Sequence, residues 1–413
     1  MKELLKERIR TGVNNRNIVL FGASVVAEEF YVNYKDKIQI SYCVSNQENQ
    51  WGKGVFLGEL DVLKFEPKKL TGNEYFIVCG PFAFKQIEKQ LIDCGLKPFV
   101  DFMVSNIVAA VIENKKVCMF RGSCILRDVF ECIIKLPEFS KEYYGIYSTD
   151  NYAINKTEDR VFYYGKDICD AYIYSYRVLR QNKEYLWNKS EIADDAIIIS
   201  VSNITFSGYW PQADPEIRDV NKYLVHPYNL KRDLVFYHTV YRMEDVEINR
   251  MIEEGKKAQQ IYEAISNDNF YSSKQVLKNV RLAFKSVSIG ENNATIKIED
   301  FIREQYKQIK VFQNFSHMHK CVTWEMVRRV LDKLGIWDKN VDTFEQRSPK
   351  YIHHGGDIPI YPSVAKFLEL EMVDKDTIYE VMTYQGIKNM NFEEYVYHYY
   401  EYTKLAQKMI KGW

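Results

Sequence analysis

The chain alternates short apolar runs with stretches in which apolar residues recur about every three to four positions, the pattern of strands feeding amphipathic helices. The first such unit reads as a strand Ile18 to Phe21, a turn at Gly22, a helix from Ser24 to about Tyr34 and a second strand Gln39 to Val44. A Gly-rich loop with Gly52, Gly54 and Gly58 follows, then a strand Tyr75 to Cys79, a break at Gly80-Pro81 and a helix from Phe82 to about Cys94, stopped by Gly95. Strands and helices alternating in this way make a parallel sheet with right-handed crossovers, which predicts a small Rossmann-like domain over residues 1–104.

A short bridge is expected at 105–116, and a second α/β pattern occupies 117–413. Its strand-like runs are Val117 to Arg121, Tyr144 to Tyr147, Ala171 to Tyr174, Ala196 to Val201, Leu234 to Tyr237 and Val311 to Phe315. Amphipathic stretches cover Ile125 to Leu136, Val246 to Ser266, Ser272 to Ser286, Ile298 to Ile309 and Thr323 to Leu334. The tail Asp374 to Ile410 reads as two helices, with the aromatic run Tyr395 to Tyr402 either facing the core or presented to a partner or sugar. The expected fold class is therefore α/β: a small parallel-sheet domain followed by a larger α/β domain with a helical C-terminal part.

Composition narrows the function classes. At 413 residues the chain is too long for one ordinary core. Lys+Arg and Asp+Glu each number 56, so no global field draws in nucleic acid or an acidic membrane. The eight cysteines show no CxxC pairs and sit mostly in apolar patterns, which points to a reducing, cytoplasmic setting. The charged N-terminal stretch Met1 to Arg8 lacks the apolar segment of a signal peptide, and no run is long enough for membrane insertion. The oligomeric state stays open, a homo-oligomer included.

Chemistry is expected first at Gly122-Ser123-Cys124, where a buried-type strand meets a helix. Amides in the first turn of a helix lack intrahelical acceptors and favour an oxyanion or phosphate. Cys124 gains thiolate character from the helix dipole, with Arg121 and Arg127 close in sequence; it serves as an acyl relay or as a packing residue. Ser123 is a nucleophile candidate or a helix N-cap. His317, at a strand end, is the candidate base, and a hydrogen-bonded structural histidine is the alternative. His317 and His319 without a carboxylate or cysteine partner do not make a metal site. Asn203, Ser207 and Gly208 follow a strand and are expected at the same sheet edge as Gly122, in ligand-binding or turn-forming roles. The loop His353-His354-Gly355-Gly356-Asp357 reads as a phosphate-approaching lid or an exposed loop.

Gly22-Ala23-Ser24-Val25-Val26-Ala27 stands where a dinucleotide fingerprint belongs, but only its first glycine is present. No acidic residue ends the second strand, so NAD is not expected. The pattern resembles the small Rossmann-like domains attached to sugar-modifying and glycosyl-transferring enzymes.

Five segments of the second domain, in order, resemble the WcbI-type polysaccharide biosynthesis family. Gly122-Ser123-Cys124-Ile125 is similar to its Gly-Asn-Cys-Gln start, with Ser123 for Asn and Ile125 for Gln. Asp170 to Tyr174 resembles its second strand, and Ser202 to Gln212 its Pro-Asn-x-x-Phe-x-Gly-x-x-Pro loop. Phe312 to His317 resembles the strand leading to its Asn-His-Pro, with Ser316 and Met318 flanking the histidine. Ile360 to Leu370, with Tyr361-Pro362, resembles its last segment. The resemblance implies an acyl-coenzyme-A-dependent O-acetyltransferase of capsular polysaccharide assembly. Coenzyme A or acetyl-coenzyme A would be its substrate, and a sugar or nucleotide-sugar its acceptor. Catalysis would fall to Cys124, His317 and Ser123, and coenzyme A binding to Arg121, Gly122, Arg127, Asn203, Ser207, Gly208, His354 and Tyr361. A carbohydrate esterase or deacetylase using the same turn, and a non-catalytic binder of sugar nucleotides, are the competing readings.

Overall fold

The computed structural model describes residues 1–56, 58–80, 83–149, 160–176, 192, 195–212, 245–337, 356–383 and 386–411. The chain forms two compact units. The first comprises Met1–Ser175, Leu179–Ser200 and Leu331–Val341, and the second comprises Tyr176–Val178, Val201–Val330 and Asp342–Trp413.

The first unit opens with helix α1 (Lys2–Asn15), strand β1 (Asn17–Phe21), helix α2 (Val25–Tyr34) and strand β2 (Ile40–Ser45). Strands β3 (Gly52–Phe56), β4 (Leu60–Lys64) and β5 (Glu74–Val78) follow, then helix α3 (Phe84–Asp93), strand β6 (Phe102–Val104) and helix α4 (Ser105–Ile112). The six strands form one sheet in the order β3-β4-β2-β1-β5-β6, parallel except for the antiparallel β3–β4 pair. The Gly-rich loop expected at 52–58 is thus in part strand β3, paired Gly52↔Val62 and Phe56↔Leu60. Glycine lowers local strand preference, and the edge of a preformed sheet overrides it.

Residues 105–112, expected as part of a bridge, are helix α4 instead. Ile107, Val108, Ala109, Ala110 and Val111 are all buried, and a helix apolar all round belongs inside a core. It packs against α1, α2, β5 and β6 and also against the next strand, β7 (Lys116–Gly122). Helices α5 (Cys124–Ile133) and α6 (Pro137–Glu142), strand β8 (Tyr143–Thr149), helix α7 (Arg160–Gly165) and strands β9 (Ala171–Tyr176) and β10 (Ile197–Ser202) complete a second, four-stranded sheet, β10-β9-β7-β8. Residues alternate across β7. Val117 and Met119 join the core shared with the first sheet, while Phe120 meets the rings of Phe130 and Phe139 at 5.1 and 6.1 Å.

The second unit holds helices α8 (Val246–Glu253), α9 (Ala258–Ile265), α10 (Ser273–Glu291) and α11 (Glu299–Gln305), followed by the β11 (Phe312–Asn314) and β12 (His317–Met318) hairpin and helix α12 (Lys320–Leu334). Helix α13 (Pro362–Leu368), the hairpin β13 (Tyr379–Thr383) and β14 (Gly386–Met390), and helix α14 (Phe392–Lys411) close it. The stretch Val246 to Ser266 is two helices, broken at Gly255, whose φ of +80° suits glycine. The tail carries a β-hairpin where its first helix was expected. Tyr379, Val381 and Thr383 are buried while Glu380 is not, a period of two that the aromatic and β-branched side chains favour. The strand expected at Leu234 to Tyr237 lies outside the described residues.

Candidate active site

In the first unit the chain passes from β7 to β8 on one side and then crosses β7 to reach β9 on the other. The order of strands therefore reverses at β7. In parallel sheets the crevice at the carboxyl end of such a strand is where ligands bind. Gly122-Ser123-Cys124 occupies that end. Ser123 is the N-cap of α5 with extended backbone (φ −76°, ψ 179°), and its side chain makes no capping hydrogen bond. Its amide donates instead to Ser175 Oγ at 3.1 Å, and the two serine Oγ atoms lie 3.3 Å apart. Tyr147 OH donates to the carbonyls of Gly122 and Ser123 at 2.9 and 3.2 Å, which fixes the turn from the β8 side. A Cβ at Gly122 would fall 2.0 Å from Ser175 Oγ, so glycine is required there for close approach rather than for its dihedral freedom.

Cys124 is partly exposed, whereas most other thiols in this unit are buried. Burial pushes the thiols of Cys43, Cys132 and Cys169 up to about 12, and raises those of Cys118 and Cys79 as well. The arginines flanking the turn differ from one another. Arg121 is 4% exposed, while Arg127 lies on the outer face of α5 with its Nε 2.8 Å from Glu131. That ion pair turns its guanidinium along the helix.

The turn after β1 is built differently. Gly22 takes φ +106°, and Ser24 Oγ, where a fingerprint glycine would stand, donates to the carbonyl of Cys79 at 2.7 Å. Gln50 Nε2 donates to the carbonyl of Ala23 at 3.1 Å. Side chains of the domain itself thus take up polar groups at this crevice.

The remaining sequence candidates lie in the second unit. Asn203 is half-buried after β10. The carbonyls of Ser207 and Gly208 are held by Asn279 Nδ2 of α10 at 2.9 and 3.1 Å. Between and after them, Phe206, Tyr209 and Trp210 are fully buried, with Phe206 5.2 Å from the Phe284 ring and 5.6 Å from that of Phe312. A Cβ on Gly208 would strike the Phe206 ring at 2.4 Å. The loop is thus anchored by an aromatic core. It also reaches the histidine hairpin, since the Phe206 amide donates to the Phe315 carbonyl at 2.9 Å.

His317 is partly exposed, and its Nδ1 lies 2.8 Å from Asn314 Oδ1. Asn314, which sequence reasoning missed, is 2% exposed and also bonds the Gly356 carbonyl at 3.1 Å. Its only sequence signal is an asparagine three residues before a histidine at a strand end. Of the loop 353–357, residues 353–355, including His354, lie outside the described residues. Asp357 forms a buried ion pair with Lys310 at 2.9 Å. Burial in that setting lowers the Lys310 pKa against the pull of Asp357.

Tyr361, expected at the cofactor, lies in the core instead. It is fully buried, and its hydroxyl donates to Asp245 Oδ1 and Oδ2 at 2.8 and 2.7 Å. Asp245 caps α8 through the amides of Glu247 and Ile248. Burial pushes its carboxyl up to about 7 in spite of those bonds.

Among the described residues no group of three or more His, Cys, Asp or Glu side chains is placed to hold a metal ion. No helix among them is long and apolar enough to cross a membrane.

A solved structure of WcbI, described as a novel polysaccharide biosynthesis enzyme and as the native protein without a disulfide bond between coenzyme A and a cysteine, matches at 15% identity and a TM-score of 0.48. The match covers 70% of this chain and 90% of that one. No curated protein matches. Residues 173–339 match the family model described as polysaccharide biosynthesis enzyme WcbI. That range takes in Asn203, Ser207, Gly208 and His317, and it leaves the Gly122-Ser123-Cys124 turn and Tyr361 outside. Over residues 173–339, then, the chain is similar to the WcbI polysaccharide biosynthesis family.

Proposed function

We propose that this protein is an acyl-coenzyme-A-dependent O-acetyltransferase acting on a sugar or nucleotide-linked sugar during assembly of a surface, capsular, polysaccharide in the cytoplasm. The observation that carries the reaction class is the Gly122-Ser123-Cys124 turn, which presents a partly exposed thiol and first-turn amides at the reversal point of a parallel sheet. Such amides stabilise the oxyanion formed when a thioester carbonyl is attacked. The family-model match supports the polysaccharide context.

In the reaction the sugar hydroxyl attacks the acetyl carbonyl, the C–S bond breaks, and coenzyme A leaves as thiolate. His317 takes the hydroxyl proton and returns it to that thiolate. In this direct transfer Cys124 lines the thioester. As a relay, its thiolate would first take the acetyl group from coenzyme A, which leaves as thiolate, and the sugar hydroxyl would then attack the cysteine thioester and release the Cys124 thiolate.

Incubation with acetyl-coenzyme A and mono- or nucleotide-sugar acceptors, followed by mass spectrometry, is the test. A 42 Da (about one acetyl group) gain on the sugar with release of free coenzyme A is the expected result. Hydrolysis of acetylated sugars with no dependence on coenzyme A would replace this reading by an esterase. Tight binding of a sugar nucleotide with neither reaction would leave a binder. Cys124→Ala separates the two roles of the thiol: loss of both turnover and an acyl-protein adduct identifies the relay, and retained turnover identifies the lining residue.

A further inference from the structure

We propose that Asn314 is a positioning residue that holds His317 in its Nδ1-protonated tautomer and so presents Nε2 as the proton acceptor. The inference rests on the preceding reading for its catalytic consequence alone.

Asn314 and His317 face each other as the last and first paired residues of the β11–β12 hairpin. Asn314 Oδ1 accepts from the His317 amide at 3.0 Å, from the Ser316 amide at 3.2 Å, and lies 2.8 Å from His317 Nδ1. Its Nδ2 donates to the Gly356 carbonyl at 3.1 Å. These partners determine which way the side-chain amide points. Main-chain amides only donate, so the atom facing Ser316 and His317 is the oxygen; a carbonyl only accepts, so the atom facing Gly356 is the nitrogen.

The tautomer follows. An amide oxygen cannot donate, so the hydrogen in the Nδ1 contact belongs to the ring. A neutral imidazole carries one ring hydrogen, which leaves the lone pair on Nε2. Ser316 Oγ, 3.3 Å from Nδ1, has an acceptor of its own in Asn314 Oδ1 at 3.4 Å and need not donate to the ring. An asparagine needed only to close the hairpin would use its oxygen for the main-chain amides. This one also holds the ring, and through Gly356 it ties the ring to the segment at 356–358, where the Ile358 amide donates to the Gln313 carbonyl at 3.0 Å. Neutral asparagine suits the task better than aspartate, whose charge would favour the imidazolium and whose second oxygen would oppose the Gly356 carbonyl.

Long-range 1H–15N spectra of the full-length protein with labelled histidine, His317 being assigned by its loss in His317→Gln, read the tautomer directly. The expected result is protonated Nδ1 in the native protein at pH 8 and a mixture or the Nε2-protonated form in Asn314→Ala. In the acetyl-transfer assay Asn314→Ala lowers kcat about tenfold or more with KM held within about twofold. A native protein with Nε2 protonated overturns the proposal without recourse to any variant. So does an Asn314→Ala protein with unchanged tautomer and kcat. Full turnover in His317→Gln would instead remove His317 from the reaction, a result separate from the tautomer reading.

Discussion

Ser175 holds the main chain of Ser123 across the sheet: the Ser123 amide donates to Ser175 Oγ at 3.1 Å, and the space between the two is so small that Gly122 beside them can carry no side chain. A serine near the carboxyl end of β9 thereby sets the shape of a turn on β7. A methyl group at Gly122 must move Ser175, and overpacking of this kind costs about 1–3 kcal/mol. Gly122→Ala is expected to lower the chemical denaturation midpoint and impair coenzyme A binding. Ser175→Gly in the same chain is expected to restore part of both. Equal deficits in the single and double variants would show that the contact is not what excludes the side chain.

Cys124 differs from the buried thiols around it in exposure, and that difference is measurable. Brief treatment of the folded protein with iodoacetamide at pH 7.5 (about one unit below an ordinary thiol pKa) should alkylate Cys124 well before Cys43, Cys118, Cys132 and Cys169. Coenzyme A should protect it. Peptide mapping that finds Cys124 as slow as these four would remove it from the crevice.

Asp170 joins the N-terminal helix to the second sheet. It accepts from Lys6 at 3.0 Å and from the Val117 amide at 2.8 Å, and pairs with Lys2 at 2.9 Å. Burial opposes its ionisation, but the bonds from Lys2, Val117 and Lys6 outweigh burial and hold the carboxyl below its usual pKa. A depressed carboxyl contributes stability above its unfolded pKa of about 3.9 and loses it as pH falls through the lower folded value. Among the described residues, Asp170→Asn leaves the buried Lys6 and the partly buried Lys2 with only the exposed carboxylates of Glu3 and Asp195 as ion-pair partners. The cost therefore approaches but stays below the about 3–5 kcal/mol of breaking a fully buried pair. Urea melts should show a large deficit at pH 7 that narrows in acid. A deficit independent of pH would assign the effect to packing.

Tyr361 and Asp245 show the opposite sign. A carboxyl pushed up to about 7 favours the folded state in acid, and this contribution fades as pH rises from the unfolded value towards the folded one. The Tyr361 hydroxyl stabilises the ionised form. Tyr361→Phe should therefore destabilise by about 1–3 kcal/mol, more at pH 8 than at pH 5, while coenzyme A binding is unchanged because the ring is fully buried. Weakened binding in a variant of normal stability would return Tyr361 to the site.

Local pattern made the alternating part of the fold legible. Strands β1, β2, β5, β7, β8 and β9 are apolar runs bounded by turns or helical periods, and their burial in parallel sheets matches that composition. The missed elements had partners distant in space or weak local preference. Strand β3 owes its form to β4 at a sheet edge, and α4 was too short and too uniformly apolar to show a helical period. The β13–β14 hairpin was hidden because length suggested helices where alternation decided for strands. At the candidate sites, chemistry-bearing residue types could be picked out along the chain. Their commitments could not: Arg127 pairs with Glu131, Tyr361 with Asp245, and His317 with an asparagine that no motif singled out.

The sequence alone determined the α/β class, the strand–turn–helix at Gly122-Ser123-Cys124, and the resemblance in the segments matched at 173–339, because each depends on residues near one another along the chain. Only the tertiary structure decided the strand order that puts this turn at a reversal point, the serine that shapes it, and the amide that orients His317. Those features arise from contacts between distant segments. Hydrogen-bond direction and close packing select them, and neither leaves a periodic trace in the order of amino acids.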